Sequence, residues 1–351
     1  MDSPYSPLEF SLLNEWQRDF PLVTNPFAVI ADSFGAGAEC RLSTADPLRR
    51  RKTVLCEPPT SPPSAAENNV LSTLSRLATR GAISRVGAVF APRRVGVGAL
   101  AAVAAPVEKI EVIAAQINAH TTVNHNYQRE HVYNLWFVVT APEKAGLNAT
   151  LRQIELETGC AVIAMPLAEE FHIDLAFDLH SGHSAVQHRK STVPVQRELD
   201  AAERRLAAQL QDGLKLCPQP YAELAKRANM SEGEVLGYLQ RWQDEGLIKR
   251  FGIVVRHHEM GYRSNAMVVF NIPDATASAV GAALAKTQGI TLAYRRERCL
   301  PAWPYNIYCM VHGRSRADVL PIIEHLASIA GAAPMVLFSV RRFKQCGARY
   351  F

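Results

Sequence analysis

The sequence predicts an α+β chain made by tandem duplication, each copy a winged helix-turn-helix followed by a ferredoxin-like βαββαβ sheet. Three observations carry that expectation: an ordered internal repeat, helical patterning at the start of each copy, and alternating strand and helix patterning after it.

The repeat is legible by eye. GAISRVGAVFAPRRVG (81–96) matches GLIKRFGIVVRHHEMG (246–261) at an offset of 165, sharing Gly81/Gly246, Ile83/Ile248, Arg85/Arg250, Gly87/Gly252 and Gly96/Gly261. YQRE (127–130) matches YRRE (294–297) at 167. Tyr133-Asn134 matches Tyr305-Asn306 at 172, the second copy having gained CLPAW, and EEFHID (169–174) aligns with RRFKQC (341–346) at the same offset. The order of matches is preserved. The first unit therefore spans 1–180, with a winged helix over 1–96 and a ferredoxin-like domain over 97–180. The second spans 197–351, divided into 197–261 and 262–351. SGHSAVQHRKSTVPVQ (181–196) is polar, lacks apolar period and reads as the linker.

Each unit opens with helices. LDAAERRLAAQL (199–210) sets Leu199, Ala202, Leu206 and Leu210 on one face. PYAELAKRAN (220–229) begins with a proline suited to a first helical turn. Ser231 and Glu234 form a capping-box signature that opens a third helix running to Gly246. IKRFGIVVRHH (248–258) then reads as two short strands, the wing. The first unit has the same plan, interrupted between its second and third helices by a stretch rich in Pro, Ser, Ala and Arg (36–68), which reads as a mobile loop. After the wing, the second unit gives YRSNAMVVFNI, DATASAVGAALAKT, ITLAYRRER, PYNIYCMVHG, SRADVLPIIEHLAS and PMVLFSVRRFK, the strand and helix order of a split βαβ sheet. Two helices cover one face of such a sheet and leave the other to be covered, as the matching sheet of the other unit would do.

Composition sets bounds. A net charge of +5 over 351 residues favours anionic partners without demanding nucleic acid. Seven scattered cysteines form no C-x-x-C pair, which argues against a protein-built zinc or iron–sulfur site and for a reduced, cytoplasmic protein. The start, MDSPYSPLEFSLLNEW, has no basic n-region or long apolar core, and the most apolar window, VGVGALAAVAAPVEKI (95–110), is broken well short of a membrane span.

The candidate site lies on the free sheet faces, which are expected to close over one cavity. From VNHNYQREHVYNLWFVV (123–139) come His125, Tyr127, Arg129, His131, Asn134 and Trp136. From the second unit come Arg295, Arg296, Arg298, Trp303, Tyr305 and Asn306, with Arg256, His257, His258, Arg263 and Asn265 on its wing and first strand. Arginine forks bind carboxylates, aromatic rings offer a flat wall, and histidine handles protons or iron near neutral pH. Singly, a strand histidine is more often a surface residue, and the two tryptophans fit a core equally well. The grouping carries the argument. His125 and His131 face Leu292 and Arg298 at 167, while His257 and His258 face Pro92 and Arg93 at 165, so the imidazoles are divided between the halves as in one composite site.

A winged helix followed by a ligand-binding ferredoxin-like domain resembles the Lrp/AsnC regulators. Four strings, HNYQREHVYNLWF, GYRSNAMVVFNI, WPYNIYCMVHG and RRFKQCGARYF, resemble more narrowly the siroheme decarboxylases, in a fused two-subunit form. The resemblance covers the chain apart from 36–68. It implies removal of two acetate carboxyls from siroheme to give 12,18-didecarboxysiroheme, towards haem d1 or, alternatively, protohaem. It implies His125 and His131 in proton donation or acetate contact, Tyr127 and Arg129 on carboxylates, and His125, His257 or His258 as axial ligand of the substrate iron. No cofactor beyond that iron is expected; the partners are siroheme, its products, the other half of the chain and, as an option, a second copy. A DNA-binding regulator and a non-catalytic tetrapyrrole sensor are the alternatives. Against DNA, the third helix SEGEVLGYLQRWQDEG sets Glu232, Glu234, Asp244 and Glu245 against the single Arg241.

Overall fold

The computed structural model describes residues 5–35, 62–91, 94–173, 198–256 and 264–351. The linker and most of the 36–68 insert lie outside the described residues, as do Cys40 and Cys56. Two compact units cut across the sequence repeat: one joins Met1–Ala91 to Glu198–Glu259, the other joins Pro92–Arg197 to Met260–Phe351. Among the described residues no helix is long and apolar enough to cross a membrane.

The first unit pairs the two helix-turn-helix segments. From the first copy come α1 (Pro7–Glu15), α2 (Pro26–Gly35), α3 (Ala65–Thr79) and strand β1 (Ile83–Phe90). From the second come α6 (Ala201–Leu210), α7 (Pro220–Ala228), α8 (Glu232–Asp244) and β6 (Ile248–Val255). Capping boxes start α1, α6 and α8 through Ser6 with Glu9, Asp200 with Glu203, and Ser231 with Glu234. Two of those capping acids are buried and also hold the third helix of their own copy. Glu9 meets Arg76 at 3.3 Å and Arg80 at 3.1 Å, and Glu203 meets Arg241 at 2.7 Å. The end of the predicted insert proves helical, because Ser64 caps α3 by accepting from the Glu67 amide.

The expected wing is not a hairpin. Ile248–Val255 is one strand, paired antiparallel with β1 of the other copy. Its apolar residues are buried almost continuously, so it is held on both sides and has no reason to turn back on itself. Gly87 faces Gly252 in that pairing, and these are each other's repeat mates, so a local two-fold passes between them. A Cβ on Gly252 would lie 2.5 Å from the Gln17 carbonyl oxygen, which explains the glycine.

The second unit holds both ferredoxin-like copies. The first is β2 (Val97–Val103), α4 (Ile110–Ala119), β3 (Val123–Arg129), β4 (Leu135–Ala141), α5 (Lys144–Thr158) and β5 (Val162–Ile173). The second is β7 (Ser264–Phe270), α9 (Asp274–Leu284), β8 (Ile290–Arg296), β9 (Ile307–Gly313), α10 (Arg316–Ala330) and β10 (Met335–Gln345). Long fourth strands reach across: β5 pairs with β8 and β10 with β3, closing one barrel in the order β10-β3-β4-β2-β5-β8-β9-β7. No sheet edge is left for a stray chain to join. Each copy packs its own helices on the outer face, around Ile113, Phe137 and Ile154 in the first and Phe270, Leu284 and Ile323 in the second. The inner faces share a third core of Leu100, Trp136, Met165, Met267, Trp303 and Leu337. The free faces therefore do cover each other, yet the middle of the barrel is filled, whereas the sequence suggested one open chamber there.

Candidate active site

Alternation along β3 decides which side chains look inward. Val123 and Asn126 face the helices, Asn126 donating to the Ala114 carbonyl and to Asn118. His125, Tyr127 and Arg129 face the interior, Tyr127 lying opposite Trp136 in register. In β8 the same rule turns Tyr294 and Arg296 inward, Tyr294 opposite Tyr308, and sends Arg295 outward.

The result is a pair of repeat-related arginine–tyrosine stations. The Arg129 guanidinium sits 5.6 Å from the Tyr127 ring and its Nη1 donates to the Leu337 carbonyl at 3.0 Å. Arg296 sits 5.2 Å from the Tyr294 ring and its Nη1 donates to the Met165 carbonyl at 3.2 Å. Leu337 and Met165 are themselves repeat mates, each on the strand lent by the opposite copy. Among the described residues neither guanidinium meets a carboxylate, and the Arg129 Nε is buried without a partner. Burial drives the Arg129 pKa down to about 10 and lowers that of Arg296. It also pushes the Tyr127 and Tyr294 phenols up. A buried cation with no anion beside it is unfavourable, and an incoming carboxylate would relieve that.

The two histidines of the hairpin sit at opposite ends of β3, with opposite tautomers. His125 Nδ1 is 2.6 Å from Asn124 Oδ1, an acceptor, so Nδ1 carries the proton. His131 Nδ1 accepts from the Tyr133 amide at 3.0 Å, so its Nε2 carries the proton when the ring is neutral. Desolvation lowers the His131 pKa. His125 stacks near Tyr127, centroids 6.2 Å apart. His131 meets Trp303 of the second copy edge-on at 5.4 Å, and Trp303 also touches Trp136 at 4.9 Å and Tyr305 at 4.8 Å. β3 and β8 run in the same direction around the barrel, so their following loops meet at one rim. The CLPAW insertion thus brings Trp303 to His131.

The AsnC-like ligand binding domain model matches residues 94–172 and 259–344, and the siroheme decarboxylase NirDL-like HTH domain model matches 203–249. The NirDL subunit of siroheme decarboxylase from Paracoccus denitrificans (strain Pd 1222) is 36% identical over 346 residues, 97% of this chain and 96% of that one. The chain belongs to the siroheme decarboxylase family. A NirL subunit of siroheme decarboxylase from Stutzerimonas stutzeri is 46% identical over 157 residues, 44% of this chain and 91% of its own. The crystal structure of the siroheme decarboxylase NirDL superposes with a TM-score of 0.64 at 25% identity, covering 98% of this chain and 94% of that one.

Within this siroheme decarboxylase fold, several candidate residues have structural partners instead of an inward position. Arg295 meets Asp274 at 3.0 Å on the helix side, and Arg298 meets the same carboxylate at 2.7 Å while also donating to the Ile272 and Pro304 carbonyls. Alternation and the β8–β9 turn put them there, so neither lines the interior. Asn134 brackets Ala105, accepting from its amide at 2.9 Å and donating to its carbonyl at 2.8 Å; Asn306 brackets Ile272 in the same way. Trp136 and Trp303 are core residues whose indole N–H groups donate to the Tyr133 carbonyl and the Tyr308 hydroxyl. Asn265 bonds His312 across β7 and β9. Arg256 belongs to the first compact unit, its amide donating to Ala82. His257, His258 and Arg263 lie outside the described residues. Sequence reasoning missed Tyr294 as an inward residue, although the YQRE/YRRE match that singled out Arg296 contains it. It also missed Asn124 and Thr140, ordinary polar strand residues with no signal of their own.

Proposed function

We propose that this chain decarboxylates siroheme, removing two acetate carboxyls to give 12,18-didecarboxysiroheme on the route to haem d1. The observation that carries the reading is the pair of inward guanidiniums, one from each copy, that have no carboxylate of their own and match a substrate edged with carboxylates. In each loss the bond between the methylene and carboxyl carbons breaks, CO2 leaves, and the electron pair passes into the conjugated macrocycle. A proton then converts the methylene to methyl. The macrocycle is its own electron sink, so the chemistry calls for no further organic group.

The chain's part is to bind, orient and supply that proton. Arg129 with Tyr127, and Arg296 with Tyr294, hold carboxylate arms against aromatic faces. His131, kept neutral by burial in the empty protein, becomes a stronger base when a carboxylate lies beside it, and its imidazolium form then donates. His125 presents Nε2 as its unprotonated nitrogen when neutral, suited to the substrate iron or to receiving a proton.

Anaerobic incubation of the purified chain with siroheme, followed by mass spectrometry of the pigment, tests the reaction. Loss of two CO2 per macrocycle is expected. A pigment that binds, shifts its Soret band and keeps its mass would replace the enzyme with a tetrapyrrole sensor.

A further inference from the structure

The carboxy-terminal segment reaches back to the strand that carries His125. The Cys346 amide donates to the Asn124 carbonyl at 2.8 Å, extending the β10–β3 pairing past its end. Beyond it, Thr140 and Arg349 bond twice: the Arg349 amide donates to Thr140 Oγ1 at 3.1 Å, and that hydroxyl donates to the Arg349 carbonyl at 2.7 Å. Tyr350 anchors the segment. It is buried, and a Cβ on Gly96 would lie 2.6 Å from its Cδ1.

Hydrogen-bond arithmetic follows from those contacts. A hydroxyl has one proton to give, and a carbonyl can only accept, so the Thr140 proton goes to Arg349. Whatever else touches Thr140 Oγ1 must be a donor. The atom that does so is Asn124 Nδ2, at 3.1 Å, inside a fully buried pair. With Nδ2 fixed on that side, Asn124 Oδ1 faces His125 Nδ1 at 2.6 Å, and an amide oxygen forces the proton onto Nδ1. We infer that the carboxy-terminal segment, acting through Thr140 and Asn124, sets the tautomer of His125 and so fixes which ring nitrogen meets the substrate. Asn124 and Thr140 are positioning residues here. The second copy lacks the device. At the repeat offsets Thr291, Leu292 and His312 stand where Asn124, His125 and Thr140 stand, and the Thr291 hydroxyl donates instead to the Met310 carbonyl. The polar relay is therefore particular to the copy that has the histidine.

The catalytic consequence rests on the reading of His125 given above; the tautomer itself does not. The test is long-range proton–nitrogen correlation spectroscopy on the full chain labelled with 15N-histidine, the His125 signals being identified by their loss in His125→Gln. Wild-type protein should show His125 protonated at Nδ1. Thr140→Val should move the ring towards the Nε2-protonated form and lower single-turnover decarboxylation on the order of tenfold with little change in KM, and Thr140→Ser should restore both. Deleting residues 349–351 should reproduce the valine result, as a second route should Thr140→Val fail to fold. An Nε2-protonated ring in wild type, or a tautomer unmoved by Thr140→Val and by the deletion, overturns the relay even where His125→Gln is inactive. A tautomer that moves while turnover stays at the wild-type rate upholds the relay and removes His125 from the reaction.

Discussion

Arg129 is the residue on which substrate recognition turns. It is buried, its Nε has no partner, and its pKa is held down to about 10 by desolvation alone, with only the Tyr127 ring opposing. Replacing an uncompensated buried charge by an apolar side chain of similar length generally stabilises a fold, so Arg129→Met should raise the melting temperature of the empty protein. The same variant should lose the thermal stabilisation that siroheme gives the wild type; melts with and without pigment check both signs. For the histidines, His131→Ala and His125→Ala should each lower CO2 release by about 10²–10⁴-fold while leaving the circular dichroism spectrum intact. His131 also predicts a pH effect. Its folded pKa lies below the unfolded value of about 6.5, so the unfolded chain takes the proton first as pH falls. The empty protein should lose stability below about pH 6.5, and His131→Gln should flatten that slope in melts taken between pH 7.5 and 5.5.

At the scale of elements, the sequence made some features plain and hid others. The helix starts were legible because a capping box is a local pattern: Ser231 and Glu234 sit three apart in the chain and bond across that interval in the structure. The fate of 248–258 was not, because its partner strand lies 165 residues away and a single apolar run reads equally well as one strand or two. Likewise Arg295 and Arg296 look alike in YRRE, and only the register with β9 sends one to Asp274 and the other to the interior. Glycine 252 exists for the close approach of the chain after α1, so Gly252→Ala should destabilise the first compact unit by about 1–3 kcal/mol in denaturant melts, with turnover at permissive temperature retained. Helix α8 bears on the regulator alternative. Its first turn is acidic, and its Arg241 is tied to Glu203 at 2.7 Å, so the helix offers phosphates little. A gel shift with genomic fragments at low salt should show no sequence-dependent complex.

For the whole molecule, duplication explains the architecture more than any single motif does. Both copies contribute to both compact units, and the barrel closes only because β5 and β10 each complete the other copy's sheet. A relative that spans less than half of this chain is a separate subunit, and the geometry says what such a subunit must do: find a partner to cover two open strands. Cutting the chain between 180 and 197 and expressing both pieces together should therefore give a tight heterodimer with siroheme turnover. Either piece alone should aggregate or self-pair, as size-exclusion chromatography would show. The sequence repeat made this pairing foreseeable. The filled middle of the barrel was not foreseeable, since Trp136 and Trp303 are equally at home in a ligand pocket or a core, and only packing distinguishes the two.

Because the partner strand of β3 is among the last stretches of the chain to be synthesised, the order of translation has a direct bearing on this protein. The ribosome emits His125, Tyr127 and Arg129 long before it emits the strand and tail that enclose them. Until termination, that edge is exposed and sticky, and a message truncated near its end yields a product with the reactive groups present and their enclosure missing. Quality control in the cell thus has a clear target: the nascent chain that has lost only its final dozen or so codons.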